Sequence, residues 1–425
     1  MMQKRYLGIL FTFLFTLLFS IPVSGQQAER SVFIDDLDFV YEQLTKTASY
    51  RTQAKNRIKA EAKYQELKRL YTGTGLSIIE HYIKLYELVD QVKDYHNDIY
   101  GNTESFSYEN LKDPQFLAGI RNSPEYNFYP ETGMDLDSLE KALARKPVDD
   151  YEGIYHYGEY FKIAIRKRED NMLEGIVLET LIPSWQRGET ILYLLPAEGN
   201  RFRLITGRFI DKKLVSGIDY FYDGEFKTNK WHKEKDKTGF YDADFPGKKF
   251  HIEELEEDIT YIRLGSFSSS DEGIREATAF FNRIADSLNS KNLVIDLRNN
   301  SGGGDKSSGQ FYRLLKKYKG HIYVLVNFYT VSNAEQLAIK LKMLSNVTLL
   351  GDDTRGMITY GRNHSEDKEV PSKMFRVYFS DLKDHWRRYL QYEGRGIRPD
   401  VYLAPDRSWL DQTVEKIKQP VSRKQ

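Results

Sequence analysis

Three short segments, far apart in the chain, carry residue types that together suit acyl transfer. They are Asp94-Tyr95-His96, Val331-Ser332-Asn333-Ala334-Glu335 and Tyr392-Glu393-Gly394-Arg395-Gly396. The first offers a base, the second a hydroxyl nucleophile and the third a carboxylate. A neutral imidazole can take a serine proton near physiological pH. A carboxylate can orient that imidazole or hold the group that does so. Between the first two segments, Leu293-Val294-Ile295-Asp296-Leu297 runs through Arg298-Asn299-Asn300-Ser301 into Gly302-Gly303-Gly304. Glycines let backbone N–H groups come close enough to converge on an oxyanion. Each piece also has a plain reading. The glycine run can be a turn, His96 a surface or satisfied core residue, and Glu393 a loop charge. Ser332-Asn333-Ala334-Glu335 is itself a capping box. The cap and the nucleophile are compatible, because a helix N-terminus favours developing negative charge.

The elements that must position these residues change character along the chain. From about 31 to 92 the apolar residues fall at helical spacing, and Ser77-Ile78-Ile79-Glu80 reads as a capping box opening a helix that delivers the chain to His96. Residues 98–149 read as a crossing linker, with one short helix near Leu136–Leu143. From Tyr151 to about Trp231, short strands at regular spacing suggest a small β-sandwich or barrel. From about Phe250 to Leu403, strands and helices alternate, which implies a mostly parallel βαβ sheet covered by helices. Ser332 and the glycine loop both fall just past strand ends, where sites form in such sheets.

Composition narrows the classes. Lys plus Arg and Asp plus Glu both number 62, so the 425-residue chain has no formal net charge. That balance argues against a nucleic-acid binder and against a polybasic membrane-surface protein. Cysteine is absent, so no disulfide or thiolate metal site exists. His251, His364 and His385 have no ligand spacing, Asp352-Asp353 reads as a turn, and Lys306-Ser307 lacks the order of a phosphate loop. No metal or cofactor is expected. At the N-terminus, Lys4 and Arg5 precede an apolar run from Tyr6 to about Pro22, followed by Val23-Ser24-Gly25-Gln26. This pattern predicts a signal peptide cleaved after Gly25, the rival being an uncleaved anchor. The expected protein is exported, periplasmic or extracellular, and touches a membrane only through an uncleaved leader.

The chain therefore divides into a leader (1–25), a helical region carrying the histidine (26–97), a linker (98–149) and a separate small all-β module (150–235). An α/β catalytic domain (248–405) and a C-terminal helix and tail (406–425) complete it.

The stretch Ile259–Val401 resembles the tail-specific (C-terminal processing) serine peptidases and their tricorn-core relatives. The matching motifs run in order: Tyr261-Ile262-Arg263-Leu264-Gly265-Ser266-Phe267, Asp296-Leu297-Arg298-Asn299-Asn300-Ser301-Gly302-Gly303, Ser332-Asn333-Ala334-Glu335, Gly351-Asp352-Asp353-Thr354-Arg355-Gly356 and Glu393-Gly394-Arg395-Gly396-Ile397-Arg398-Pro399-Asp400. The tail-specific branch uses a Ser–Lys dyad, but the position of the Lys holds Met357 here. The tricorn-like branch uses an upstream His within a motif similar to Asp94-Tyr95-His96-Asn97, and a Glu matching Glu393. The resemblance implies Ser332 as nucleophile, His96 as general base, Glu393 as supporting carboxylate, and the N–H groups of Gly303 and Asn333 as oxyanion donors. It places Gly302, Gly304 and Thr354 at the substrate, which would be an extended polypeptide. Two features depart from the pattern: Tyr95 stands where a small residue or serine is common, and no PDZ-like segment lies between His96 and Phe250. The alternative on the same fold is a catalytically silent binder of peptides or hydrophobic ligands.

Overall fold

The computed structural model describes residues 23–73, 75–235, 248–363 and 366–419. The expected leader lies outside these residues except for its last three, which open the helix Val23–Lys46. Among the described residues, no helix is long and apolar enough to cross a membrane.

The helices Val23–Lys46, Ala54–Gly73 and Ile78–Val89 form the N-terminal region. Ser77 caps the last of them as its sequence predicts: Glu80 N–H donates to Ser77 Oγ at 3.2 Å, and Ser77 N–H donates to Glu80 Oε2 at 2.8 Å. This helix turns Glu80, Lys84 and Glu87 to one face and is largely apolar elsewhere. Ile79, Tyr82, Ile83, Leu85, Tyr86, Leu88 and Val89 are all buried, which fixes its place between neighbours on several sides. The chain leaves it through Asp94–His96 into β1 (Asp98–Gly101).

Strands β2 (Gly153–Tyr157), β3 (Phe161–Lys167), β4 (Leu173–Thr180), β5 (Thr190–Pro196), β6 (Arg201–Gly207), β7 (Leu214–Tyr222), β8 (Glu225–Phe226) and β9 (Trp231–His232) close into an antiparallel barrel. Of the two β architectures the spacing allowed, this is the barrel. It is not a separate module. Its inward residues Ile163, Leu192, Phe202, Phe226 and Trp231 share one apolar core with Leu37, Tyr82 and Leu88 of the N-terminal helices. Apolar alternation shows that a strand has a buried face but not what covers it, so sequence could not reveal the shared core. The stretch read as a linker holds a short helix at Leu136–Leu143, as expected, together with a second one at Pro114–Asn122.

A six-stranded sheet follows: β10 (Phe250–Glu256), β11 (Ile259–Leu264), β12 (Asn292–Asp296), β13 (His321–Val326), β14 (Val347–Gly351) and β17 (Val401–Tyr402), in that order across the sheet. The pairings from β11 to β17 are parallel and β10 is an antiparallel edge. Helices Asp271–Ile284, Asp305–Leu315 and Asn333–Lys342 pack on one side around Ile295, Val324 and Leu337, and Trp409 covers Val294 and Leu325 on the other. Among the described residues, the one parallel pairing outside this sheet is the isolated bridge between Phe267 and Gly303. Strand pairing among the described residues is mostly antiparallel, so the fold is a mixed helix-and-sheet one.

The third sheet brings the distant parts together. β16 (Phe375–Tyr378) pairs antiparallel with β1 on one side and with β15 (Lys368–Glu369) on the other. The register Asp98↔Tyr378 and Ile99↔Val377 ties the segment just after His96 to the region downstream of Ser332.

Candidate active site

The Asp-Leu-Arg-Asn-Asn segment acts as a bracket for the glycine loop. At the end of β12, Asp296 Oδ1 and Oδ2 accept from Arg298 Nε at 3.0 Å and Nη2 at 2.7 Å. Asn300 Nδ2 donates to Leu264 O at 2.7 Å, Asn300 Oδ1 accepts from Gly302 N at 2.8 Å, and Asn300 O accepts from Val331 N at 2.9 Å. One asparagine thereby fastens the glycine loop to β11 and to the residue before Ser332. A Cβ on Gly302 would lie 2.9 Å from both Asn333 N and Ser332 Cβ, so only glycine fits so close to the serine. Among the described residues, no intramolecular acceptor engages the N–H groups of Gly303 or Asn333.

Ser332 sits at the strand-to-helix turn with φ 58° and ψ −120°, a conformation that costs a non-glycine residue about 1–3 kcal/mol. Such a turn lifts the side chain clear of its own backbone. The Glu335 half of the capping pattern is present, Ser332 N–H donating to Glu335 Oε2 at 2.9 Å. The hydroxyl faces elsewhere: Ser332 Oγ lies 3.2 Å from His96 Nε2. His96 Nδ1 is 2.8 Å from the carbonyl oxygen of Thr359. A carbonyl only accepts, so Nδ1 carries the hydrogen and Nε2 presents its lone pair to the serine hydroxyl. Burial, together with the nearby Arg362 charge, pushes the imidazole down to about 4, against the hydrogen bond to Thr359 O. The ring is therefore neutral across the physiological range.

Glu393 is fully enclosed and does not touch the ring. Its Oε1 accepts from Tyr95 N at 2.8 Å, and its Oε2 accepts from Ile358 N and Thr359 N, each at 2.8 Å. It thus holds Thr359, whose carbonyl orients His96, which is the second of the two roles open to it from sequence. Burial, then the neighbouring Asp94 charge, pushes the Glu393 carboxyl up to about 8, opposed by those N–H groups. Asp94, His96 and Glu393 bring potential ligand atoms within 4.8 Å of one another. The Glu393 oxygens are filled by N–H donors, and Asp94 accepts from Ser380 Oγ and from His96 N at 3.2 Å. The cluster is thus hydrogen-bonded internally, with little free capacity for an ion.

Two of the expected substrate positions are engaged in holding the site together. Thr354 is completely buried: its hydroxyl donates to Glu335 Oε1 at 2.6 Å and accepts from Ile397 N at 2.8 Å. It fixes the loop after β14 and has no free face for a ligand. Gly304 N donates to Phe267 O at 2.8 Å and Phe267 N to Gly302 O at 3.1 Å, so that edge of the glycine loop is already paired.

Sequence reasoning missed two further residues that position the site. The buried Glu335 accepts from Gly356 N at 2.7 Å and Met357 N at 3.2 Å as well as from Ser332 N, tying the serine turn to the loop Thr354–Thr359. Its place in a capping box was the visible signal, but that motif explains only one of its four contacts. Arg201, on barrel strand β6, donates to the carbonyls of Thr354, Arg355 and Arg395 at 2.8, 2.5 and 2.6 Å. A barrel residue thus holds both loops flanking the serine. Nothing in its sequence neighbourhood announced that.

Gly303 gives a direct test of the loop. With φ at +131° and a would-be Cβ 1.8 Å from Phe267 O, it cannot carry a side chain without moving. If its N–H faces a developing oxyanion, as the resemblance implies, Gly303→Ala is expected to lower kcat about 10²- to 10³-fold, the usual effect of losing one such donor, with a smaller effect on KM. An unchanged kcat would remove Gly303 from the site.

A serine turn beside a neutral histidine, over a floor of unengaged backbone N–H groups, is equipped for acyl transfer. The model of peptidase family S41 matches residues 258–317 and 306–403 of this sequence. No curated protein matches the chain. Among solved structures it is similar to the tricorn protease, at 14% identity over 91% of this chain and 36% of that one, with a TM-score of 0.44. Mature CPAF complexed with lactacystin is similar at 10% identity over 91% of this chain and 97% of that one, with a TM-score of 0.42. A putative peptidase from Parabacteroides merdae shows 13% identity over 91% and 97% respectively, with a TM-score of 0.39. The protein is a serine-type peptidase. Its likeness to peptidase family S41 lies in the segment from 258 to 403.

Proposed function

We propose that Ser332 is the nucleophile of a peptide-bond hydrolase and His96 its general base, with Glu393 supporting the histidine through Thr359. The observation that carries this reading is the Ser332 Oγ to His96 Nε2 contact of 3.2 Å, with Nδ1 held on Thr359 O. As Oγ attacks the scissile carbonyl carbon, its proton passes to Nε2 and the carbonyl oxygen becomes an oxyanion facing the N–H groups of Gly303 and Asn333. Collapse expels the amine, protonated from Nε2, and leaves an acyl ester on Ser332. Water, deprotonated by the same nitrogen, then releases the acid. Met357 cannot replace the histidine, since a thioether takes no proton at neutral pH.

The polypeptide substrate would enter extended, as a strand whose carbonyl reaches the serine. The chain acts after export, its leader removed behind Gly25, in the periplasm or outside the cell.

A fluorophosphonate probe tests the central claim, because it phosphonylates only serines activated by a neighbouring base. Peptide mapping of the labelled protein is expected to place the adduct on Ser332. Labelling elsewhere, or none alongside measurable peptide cleavage, would sink the assignment.

A further inference from the structure

Glu393, with both oxygens filled by backbone N–H groups, makes no contact with the histidine ring. Among the described residues, the one carboxylate within 4.0 Å of a ring nitrogen of His96 is Asp94, whose Oδ1 lies 4.0 Å from Nδ1 with no exposed side-chain surface. The same oxygen accepts the His96 backbone N–H at 3.2 Å, and Oδ2 accepts the Ser380 hydroxyl. A cation also stands close to the histidine: Arg362 Nε donates to His96 O at 2.6 Å. An imidazolium formed during the reaction would therefore face a guanidinium charge with no contacting carboxylate except Asp94.

We infer that Asp94 is a second positioning carboxylate for His96, setting a buried negative charge against the imidazolium that forms when Ser332 yields its proton. This rests on the Ser332–His96 reading above. Asp94 acts through space, because Nδ1–H keeps its hydrogen bond to Thr359 O. In a buried site, an attraction across that distance is far stronger than it would be in water. It offsets the opposing Arg362 charge. Other groups bear on the Asp94 carboxylate: the Ser380 and Ser49 hydroxyls and Arg362 favour its ionised form, while Glu393 is a neighbouring like charge. The Tyr360 phenol also lies within range of both carboxylates. Burial pushes Asp94 up to about 6, so it gains its charge within the working pH range.

Asp94→Asn separates the charge from the backbone tie. The amide oxygen can still accept His96 N–H and the amide nitrogen can donate to Ser380 Oγ, so the loop keeps its hydrogen bonds. The expected result is a fall in kcat of about 10- to 100-fold with KM within about twofold, since an opposite charge at this range moves a partner's pKa by about 1–3 units. The part of the rise in kcat/KM centred near pH 6 should also disappear. A residue that merely ties the backbone would move neither. If Asp94→Asn does not fold, Ser380→Ala asks the same question. Removing the hydroxyl weakens the ionised form, so this variant should lose rate at pH 6 and regain it by pH 9.

Fluorophosphonate labelling rates on the same proteins divide the outcomes. Slower labelling of Asp94→Asn at Ser332, most marked above pH 6, supports the inference. Labelling and turnover equal to the unaltered protein at every pH would overturn it while leaving the Ser332–His96 reading intact. Absence of label from Ser332 in the unaltered protein would overturn both.

Discussion

Ser332→Ala is expected to lower kcat/KM for peptide cleavage by about 10⁴- to 10⁶-fold, the range seen when a nucleophile is removed from a serine hydrolase. The loss should fall on kcat, because the hydroxyl's contribution is made as the acyl bond forms. The remaining activity would come from binding and from the N–H groups of Gly303 and Asn333, which the substitution leaves in place. Stability should hardly change. The variant keeps a Cβ at the strained φ of 58°, keeps the Ser332-position N–H bond to Glu335, and loses one hydroxyl hydrogen bond to His96. A single such bond is worth about 1 kcal/mol, so Tm should move by no more than about 4 °C. Initial rates on an unstructured protein substrate, read beside a thermal melt, check both halves. Turnover within tenfold of the unaltered protein would rule out Ser332 as nucleophile. A lost melt would show instead that the substitution damaged the fold.

Sequence and structure divide this site in a particular way. The candidate residues drew notice through their settings: a histidine after an amphipathic helix, a serine opening a helix, glycines after an apolar strand. What sequence did not show is how the site is held together. Glu335 looked like a capping residue, yet it also grips Thr354, Gly356 and Met357. Thr354 looked like a substrate contact, yet it is the buried rivet between Glu335 and Ile397. Arg201 stood only as one residue of a β-strand, yet it holds the carbonyls of Thr354, Arg355 and Arg395. These are long-range contacts of polar side chains with backbone groups, which leave no periodicity and no fixed spacing. The same limit applies to the fold. Period-two alternation announced strands of a sandwich or a barrel without deciding between them, and did not show that the barrel's core continues into the N-terminal helices. Helical spacing likewise gave no sign that β1 would add to β16 and so carry His96 to the serine.

His96→Ala should be about as damaging as Ser332→Ala, again about 10⁴- to 10⁶-fold in kcat/KM, because nucleophile and base act as a unit. Three consequences separate loss of a base from general damage. The double variant should be no slower than either single one, since neither group works without the other. The remaining rate in His96→Ala should climb about tenfold per pH unit, as hydroxide must now supply the deprotonation. The pH profile of the unaltered protein gives the third. Burial and Arg362 hold the imidazole down to about 4, so the base is already neutral at pH 5, where an ordinary histidine would be largely protonated. As pH rises further, Asp94 ionises near 6 and Glu393 near 8, each adding negative charge that strengthens the base. The rate should therefore rise in a broad limb spanning pH 4 to 9 rather than in one step at the ordinary histidine value. A single sharp transition near 6.5 would mean that His96 titrates as an exposed residue, in conflict with its enclosure between Thr359, Arg362 and Ser332.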